Sequence, residues 1–225
     1  MTRINIIVEG PTEESFIKNV LAPALWPMNV LATPFVLGVP GHKGGNVNYV
    51  RVKKDVLLQL KQDKSAYCST MFDLYGLGDG FPGTSLQANV QGAAKALQIE
   101  RNVHADIIAA APPNLRADVR FMPYLQVHEY EALLFSDPAT FAHALGKSQL
   151  SKELEGIRSL FATPEDIDES SETAPSKRIL KVYPAYKKVI EGTIAAQKVS
   201  LSSMRQECPH FHSWVARLEL LGVTS

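Results

Sequence analysis

Hydrophobic residues along the chain fall into short continuous runs that alternate with helix-spaced stretches, and the first run lies close to the N-terminus. β-branched residues dominate residues 4–8, which is typical of a buried strand. A Gly-Pro pair ends this run, and Thr12 is placed to cap a helix that continues to about residue 25. The N-terminal stretch therefore predicts a strand, a turn and a helix.

The same alternation recurs as far as residue 137. Strands are predicted for residues 33–37, 66–73 and 119–127, and helices for residues 48–61 and 86–103. Strands that alternate with helices predict an α/β fold, with a mostly parallel sheet of four or more strands flanked by helices. Pro123, inside the last strand, favours a sheet edge or a bulge because proline cannot donate a backbone hydrogen bond.

Beyond residue 137 the pattern becomes helical. Helices of modest length are predicted for residues 138–145, 151–161, 186–198, 203–208 and 211–221. The acidic run at residues 163–173 separates two of them and is predicted to be a mobile surface loop. We therefore expect a core formed by residues 1–137 and a helical C-terminal extension, residues 138–225, that packs on this core.

Carboxylates follow two of the predicted strands directly. Glu9 comes after the first apolar run, and Asp73 ends the strand predicted for residues 66–73. The carboxyl ends of parallel strands meet at one edge of a sheet, where ligands bind in such folds, so these two side chains should lie close together. Two like charges there repel each other unless a cation lies between them. The pair therefore indicates a divalent-metal site, and the alternative for each residue is a solvated acid in a turn.

Three further acids are candidate metal ligands. Glu129 and Glu131 follow the predicted strand 119–127 in the sequence HEYE, and Asp79 lies in a glycine-rich loop. Glu129, nearest the strand end, is the first choice, with Glu131 or His128 as its support. The alternative for this cluster is a set of solvated acids at the start of a helix. For Asp79, a role near the metal and an ordinary place in a turn both stay open.

Composition restricts the partners of the chain. Its 225 residues are 45% hydrophobic and 20% charged, which is ordinary for a globular protein. Because 23 basic residues balance 23 acidic ones, a nucleic acid would have to be met by a local patch or through a metal. Cys68 and Cys208 lack metal-site spacing, so both are expected to be reduced. With neither a signal segment nor a membrane-length apolar run in the sequence, we expect a cytoplasmic protein.

One concentrated basic region does occur. The sequence PSKRILK carries Lys177, Arg178 and Lys181. These side chains are candidate contacts to nucleic-acid phosphates, and the alternative is a solvated helix face. Lys177 would also offset the charge that develops on a reacting phosphate.

The order of five motifs, VEGPTEE, MFDLYGLGDGFPG, QVHEYEALLFSD, APSKRIL and CPHFHSWVARL, resembles the family known as domain of unknown function 4276, which is related to the Toprim superfamily. The resemblance spans most of the chain and implies a Toprim-like, that is Rossmann-like, fold. Toprim domains occur in topoisomerases, primases and overcoming-lysogenization-defect nucleases. They hold divalent metal with a Glu after the first strand and a DxD motif after a later one. Glu9 matches the first acid and Asp73 the first Asp of the pair, whereas Tyr75 stands in place of the second.

The residues and the resemblance together predict a Mg²⁺- or Mn²⁺-dependent nuclease that cleaves phosphodiester bonds in DNA or RNA. Its catalytic residues would be Glu9, Asp73, Glu129 and Lys177, and its metal ligands would be drawn from Glu9, Asp73, Asp79, Glu129 and Glu131. The resemblance also implies an ATPase partner in a phage-defence setting, and the oligomeric state stays open. Because Tyr75 replaces an Asp, the alternative is a non-catalytic, Toprim-like binding or regulatory subunit of an ATPase complex.

Overall fold

A parallel sheet forms the centre of the molecule in a computed structural model that describes residues 1–39, 42–43, 47–78, 80–84, 91–167 and 172–223. The strands in this part are β1 (Thr2–Val8), β2 (Val30–Val36), β3 (Gly38–Val39), β4 (His42–Lys43), β5 (Tyr67–Asp73), β6 (Phe121–Met122) and β7 (Leu125–Gln126). In the main sheet the order is β2, β1, β5, and both β6 and β7 pair with β5. All these pairings are parallel. The predicted α/β fold with a mostly parallel sheet is therefore confirmed.

Helices follow the strands and dominate the second half of the chain. They are α1 (Pro11–Phe16), α2 (Ala22–Leu25), α3 (Tyr49–Gln62), α4 (Gly92–Ala110), α5 (Ala117–Arg120), α6 (Pro138–Ala144), α7 (Ser151–Arg158), α8 (Pro175–Val182), α9 (Lys188–Val199), α10 (Leu201–Glu207) and α11 (Pro209–Leu220). A π-helical turn, Ile17–Leu21, joins α1 to α2, and a 3-10 helix, Tyr130–Ser136, follows β7. The helix predicted for residues 86–103 is observed as α4, and the first part of that prediction falls on residues 86–90, outside the described residues.

The two faces of the sheet bury two separate apolar clusters. On one face, Ile4, Ile6 and Val8 of β1 pack with Phe16 of α1 and with residues of the C-terminal helices such as Phe211 and Trp214. On the other face, Ile7, Cys68 and Phe72 pack with α3 and α4 through Val52, Val56, Ile99 and Val103. Burying each large apolar side chain contributes about 1.5–3 kcal/mol to the free energy of unfolding. The chain thus forms three layers, with α3 and α4 on one side of the sheet and α1 with the C-terminal helices on the other.

The strand predicted for residues 119–127 begins only at Phe121, because residues 119 and 120 belong to α5, and it is divided at Pro123 into β6 and β7. Two buried hydroxyls of β5 replace the missing ladder bonds there. Ser69 donates from Oγ to the carbonyl oxygen of Met122 at 2.5 Å, and Thr70 donates from Oγ1 to the carbonyl oxygen of Tyr124 at 2.9 Å. The Tyr124 amide in turn donates to Thr70 Oγ1 at 2.9 Å. Pro123 therefore lies at an edge interruption, as its missing donor predicts.

The prediction of a mobile loop at residues 163–173 is wrong for part of that run. Glu165 lies in a 3-10 turn, Pro164–Asp166, and its side chain is buried. Its carboxylate accepts the amide hydrogens of His210 and Phe211, both at 2.9 Å, in the first turn of α11. A carboxylate is favourable there because these amides lack partners within the helix and the helix dipole is positive at this end. Residues 168–171 lie outside the described residues.

Two further expectations concern the cysteines and the membrane. Cys68 and Cys208 are free thiols, and both are buried, so the prediction of reduced cysteines is confirmed. Among the residues that the structure describes, no helix combines the length and the apolar character needed to cross a bilayer.

Candidate functional site

Glu9 and Asp73 emerge at the same edge of the sheet. Their strands, β1 and β5, are adjacent and parallel, with Val8 opposite Met71, so the residues that follow leave the sheet side by side. Burial and the nearby charge of Asp73 raise the pKa of Glu9, Lys188 opposes them, and the resulting pKa is about 7. The loop after β5 also approaches Glu9, because a methyl group placed on Gly76 would lie 2.8 Å from Glu9 Oε2.

Glu13 adds a third carboxyl group to this edge. It lies in the first turn of α1, is 5% exposed, and accepts the Gly10 amide at Oε2 at 3.0 Å. Burial raises the pKa of Glu13 to about 8, and the charges of Asp73 and Glu9 act in the same direction. Glu13 was not among the metal ligands predicted from the sequence. Its signal was its place four residues after Glu9, in the first turn of the helix that the Gly-Pro pair begins.

Asp73 is tied to the 3-10 helix that follows β7. The Tyr130 amide donates to Asp73 Oδ1 at 2.8 Å. Burial raises the pKa of Asp73, Lys188 opposes this shift, and the charge of Glu129 adds to it. The resulting pKa is about 6. This hydrogen bond brings the HEYE segment to the end of β5.

Glu131 comes next in that helix and is completely buried. Its Oε2 lies 3.0 Å from Lys188 Nζ, yet neither carboxylate oxygen has a directed hydrogen bond from the described residues. Burial raises the pKa of Glu131 to about 7, and Lys188 opposes this shift. A buried carboxylate with so few donors is unusual, since buried polar groups are nearly always hydrogen-bonded.

Lys188 connects these acids to the C-terminal helices. It is the first residue of α9, and its Nζ lies 3.5 Å from Asp73 Oδ2 in addition to its contact with Glu131. Burial lowers the pKa of Lys188, but Asp73 and Glu131 raise it more, so the net shift is upward. A cation is unfavourable at the N-terminus of a helix, so the acids must hold it there. Lys188 was not among the site residues predicted from the sequence.

Glu129 lies near Asp73 but has a different partner. Its Oε2 accepts the Ser176 amide at 2.8 Å, in the first turn of α8. The next residue, Lys177, is exposed, and so is Lys181 further along the same helix. Arg178 is engaged within the protein, because its Nε donates to the Thr173 carbonyl oxygen at 2.7 Å and its guanidinium lies 5.0 Å from the centre of the Phe161 ring.

The donors at this edge fit a hard divalent cation in their chemistry. Carboxylate oxygens are the ligands that Mg²⁺ and Mn²⁺ prefer, and Glu131 Oε1 is buried without a hydrogen-bond donor. In the arrangement described, however, no three His, Cys, Asp or Glu side chains of the described residues are grouped closely enough to hold a metal ion. The ammonium of Lys188 lies between Asp73 and Glu131 instead. Asp79 lies outside the described residues.

Comparison with known proteins identifies one matching family profile. The sequence profile described as "Domain of unknown function (DUF4276)" matches residues 8–219. A search of curated proteins finds no significant match. Among solved structures, the C-terminal region of the OLD protein from Xanthomonas campestris pv. campestris is similar at a TM-score of 0.40 and 14% sequence identity, covering 96% of this chain and 97% of that one. A likeness at this level does not bear on the chemistry of the site.

Proposed function

The chain belongs to the family described as Domain of unknown function (DUF4276), and we propose that it is a divalent-metal-dependent phosphodiesterase that cleaves nucleic acid. The observation that carries this proposal is the contact of Asp73 and Glu131 with one ammonium, that of Lys188, at the carboxyl edge of a parallel sheet. Glu9 and Glu13 interact electrostatically with the same group. Such an edge is where α/β folds bind ligands.

Charge supports a further cation at this edge. Glu9, Glu13, Asp73 and Glu131 all have raised pKa values, because ionising them together in a buried place is costly. The positive charge of Lys188 offsets only part of that negative charge. A divalent metal held by these carboxylates would polarise the scissile phosphate and lower the pKa of a bound water. We propose Glu9, Glu13, Asp73 and Glu131 as its ligands.

Lysines at and near the site would act on the substrate directly. The side chain of Lys188 is 38% exposed, so its ammonium can also face a phosphate and stabilise negative charge that builds on it. Glu129 orients α8 through the Ser176 amide, which keeps the exposed Lys177 next to the acidic edge. We propose Lys177 and Lys181 as contacts to the nucleic-acid backbone, because exposed lysines bind phosphates without regard to sequence.

A non-catalytic binding subunit is the second candidate. It is favoured by the ion pairs of Lys188 with Asp73 and Glu131, which make a self-contained charged group of the kind that also serves purely structural roles. Both candidate functions include an ATPase partner and a phage-defence setting. The family resemblance supports this partner and this setting. Co-expression with an ATPase encoded beside the gene, followed by size-exclusion chromatography, tests the partner.

The experiment that tests the enzyme is a cleavage assay with purified protein. Single-stranded and duplex DNA and RNA are incubated with Mg²⁺, Mn²⁺ or chelator, and calorimetry measures Mn²⁺ binding in parallel. We expect metal-dependent cleavage that Asp73→Asn abolishes and that Asp118→Asn leaves intact, since Asp118 is an exposed acid on α5. Metal binding without cleavage of any substrate would favour the binding subunit, and the absence of both would refute the metal site.

A further inference from the structure

A cleft of about 550 Å³ lies beside the acidic edge. Tyr75 and His128 form part of its lining, together with the start of α4 and Asp166. Tyr75 is two residues after Asp73, and His128 directly precedes Glu129, so the cleft is joined through the backbone to the residues of the proposed metal site. A ligand in this cleft would therefore lie near a phosphate held by the proposed metal site.

The aromatic rings of the cleft are held in place by the backbone. The Tyr75 amide donates to the carbonyl oxygen of His128 at 3.1 Å, and the two ring centres are 5.6 Å apart. His128 has a φ of 59°, a left-handed conformation that a non-glycine residue adopts at a cost of about 1 kcal/mol or more. Tyr75 is nevertheless 42% exposed, so part of this residue remains accessible to a ligand in the cleft.

The lining of the cleft carries charged residues of both signs. Lys95, in the first turn of α4, is exposed in the lining, where it can meet a phosphate of the backbone. Asp166 also lines the cleft and already accepts the Thr163 amide at Oδ2 at 3.0 Å. An anion bound beside Asp166 would be repelled by its carboxylate, whereas the N–H groups of a nucleobase would not. The lining therefore favours a base beside Asp166 and a backbone phosphate beside Lys95.

We propose that the cleft receives one unstacked base of a single-stranded nucleic acid, with Tyr75 as its stacking surface, and that the substrate class is single-stranded or locally unpaired DNA or RNA. Bases stack on exposed aromatic side chains irrespective of sequence, whereas a base inside a duplex is already stacked on its neighbours. The volume of the cleft lies in the range that small ligands occupy in proteins. This inference rests on the proposed function for the cleavage of the strand, whereas binding of a base in the cleft does not depend on that function.

Binding measured without metal tests the inference. Fluorescence anisotropy in chelator compares one labelled oligonucleotide as a single strand, as a duplex and as an abasic strand with the same phosphates. We expect the single strand to bind about tenfold or more tightly than the other two. Tyr75→Ala should remove that advantage, and Tyr75→Trp should keep it. The matched control is Trp26→Ala, which removes an exposed aromatic ring located just before β2, at the opposite edge of the sheet.

Other outcomes would overturn the inference. Equal binding of the abasic and the normal strand, or an unchanged affinity in Tyr75→Ala, would show that no base enters the cleft. A mononucleotide that binds as tightly as the oligonucleotide, with the same dependence on Tyr75, would make the cleft a small-molecule site. If single-strand binding depends on Tyr75 but no metal supports cleavage, the inference stands and the enzymatic proposal fails.

Discussion

Lys188 Nζ and Glu131 Oε2 lie 3.0 Å apart, although the two residues come from segments that are distant in the sequence. Glu131 is completely buried, in the 3-10 helix after β7, whereas Lys188 begins α9 and is 38% exposed on its side chain. A buried carboxylate that loses its counter-ion must either take up a proton or remain as an unpaired charge. The stability of the metal-free protein should therefore depend on Lys188.

Lys188→Met tests this dependence. The change should lower the free energy of unfolding of the metal-free protein by about 1–3 kcal/mol at pH 8, a value below that of a fully buried pair because the lysine is partly exposed. The loss should be smaller at pH 5.5, where Glu131 and Asp73 take up protons. Urea denaturation at both pH values measures it. Lys187→Met, which alters the exposed neighbouring residue, is the control, and equal effects of the two substitutions would contradict the role of the ion pair.

The pH dependence of stability follows from the raised carboxyl pKa values. Folded-state values of about 7, 8, 6 and 7 for Glu9, Glu13, Asp73 and Glu131 lie above the ordinary values of these groups. Between about pH 4.5 and pH 8 the folded state then binds more protons than the unfolded state, so stability falls as pH rises. We expect a lower melting temperature at pH 8 than at pH 5.5 in chelator. Saturating Mn²⁺ should raise the melting temperature mainly at pH 8. A melting temperature in chelator that is higher at pH 8 than at pH 5.5 would contradict the clustering of these acids.

Glu9→Gln separates a metal ligand from a structural acid. Removing one of several mutually repelling carboxylates should leave the metal-free fold as stable as before or slightly more stable, while Mn²⁺ binding weakens and cleavage stops. A structural Glu9 would instead cost about 1 kcal/mol on substitution and leave metal binding unchanged. Thermal melts with chelator and with excess Mn²⁺ distinguish the two. A Mn²⁺-induced rise in melting temperature that survives the substitution undiminished would refute Glu9 as a ligand.

Gly76→Ala perturbs the carboxylate of Glu9 from the neighbouring loop after β5. The added methyl group would lie 2.8 Å from Glu9 Oε2, so the end of that flexible side chain must move. Stability should change by less than about 1 kcal/mol, but Mn²⁺ affinity should fall by about tenfold or more, because ligand geometry governs metal affinity. The control is Gly156→Ala in α7, where an added methyl group meets nothing within 4 Å. Calorimetric titration of both variants with Mn²⁺ provides the measurement.

Glu165→Gln tests the structural role found for the acidic run. A neutral amide keeps the shape but weakens the two charge-assisted hydrogen bonds to the first turn of α11, which should cost about 0.5–2 kcal/mol. Mn²⁺ binding should not change, because Glu165 contacts α11 and not the acidic edge. The exposed Glu155→Gln in α7 serves as the control in the same urea denaturation series. Full retention of stability in Glu165→Gln would show that these hydrogen bonds contribute little.

Much of the α/β core was determined by local sequence patterns. The apolar runs gave β1 and β5 close to their observed bounds, and the helical spacing that predicted residues 48–61 gave α3. Hydrophobic period and chain-reversing residues act over a few positions, so they are readable without the fold. The same patterns brought Glu9 and Asp73 to one edge, because parallel neighbouring strands end together.

The partners of those acids were decided by tertiary structure. Nothing local distinguishes Lys188 from other lysines, and it meets Asp73 and Glu131 because α9 packs against α1 and against the 3-10 helix that carries Glu131. The sequence made Glu129, nearest the strand end, the first choice as a metal ligand and Glu131 its support. In the fold, Glu129 accepts a hydrogen bond from the first turn of α8, whereas Glu131 is buried beside Lys188. Charge pairing and burial depend on which distant segments come together, and the local sequence does not encode those distances.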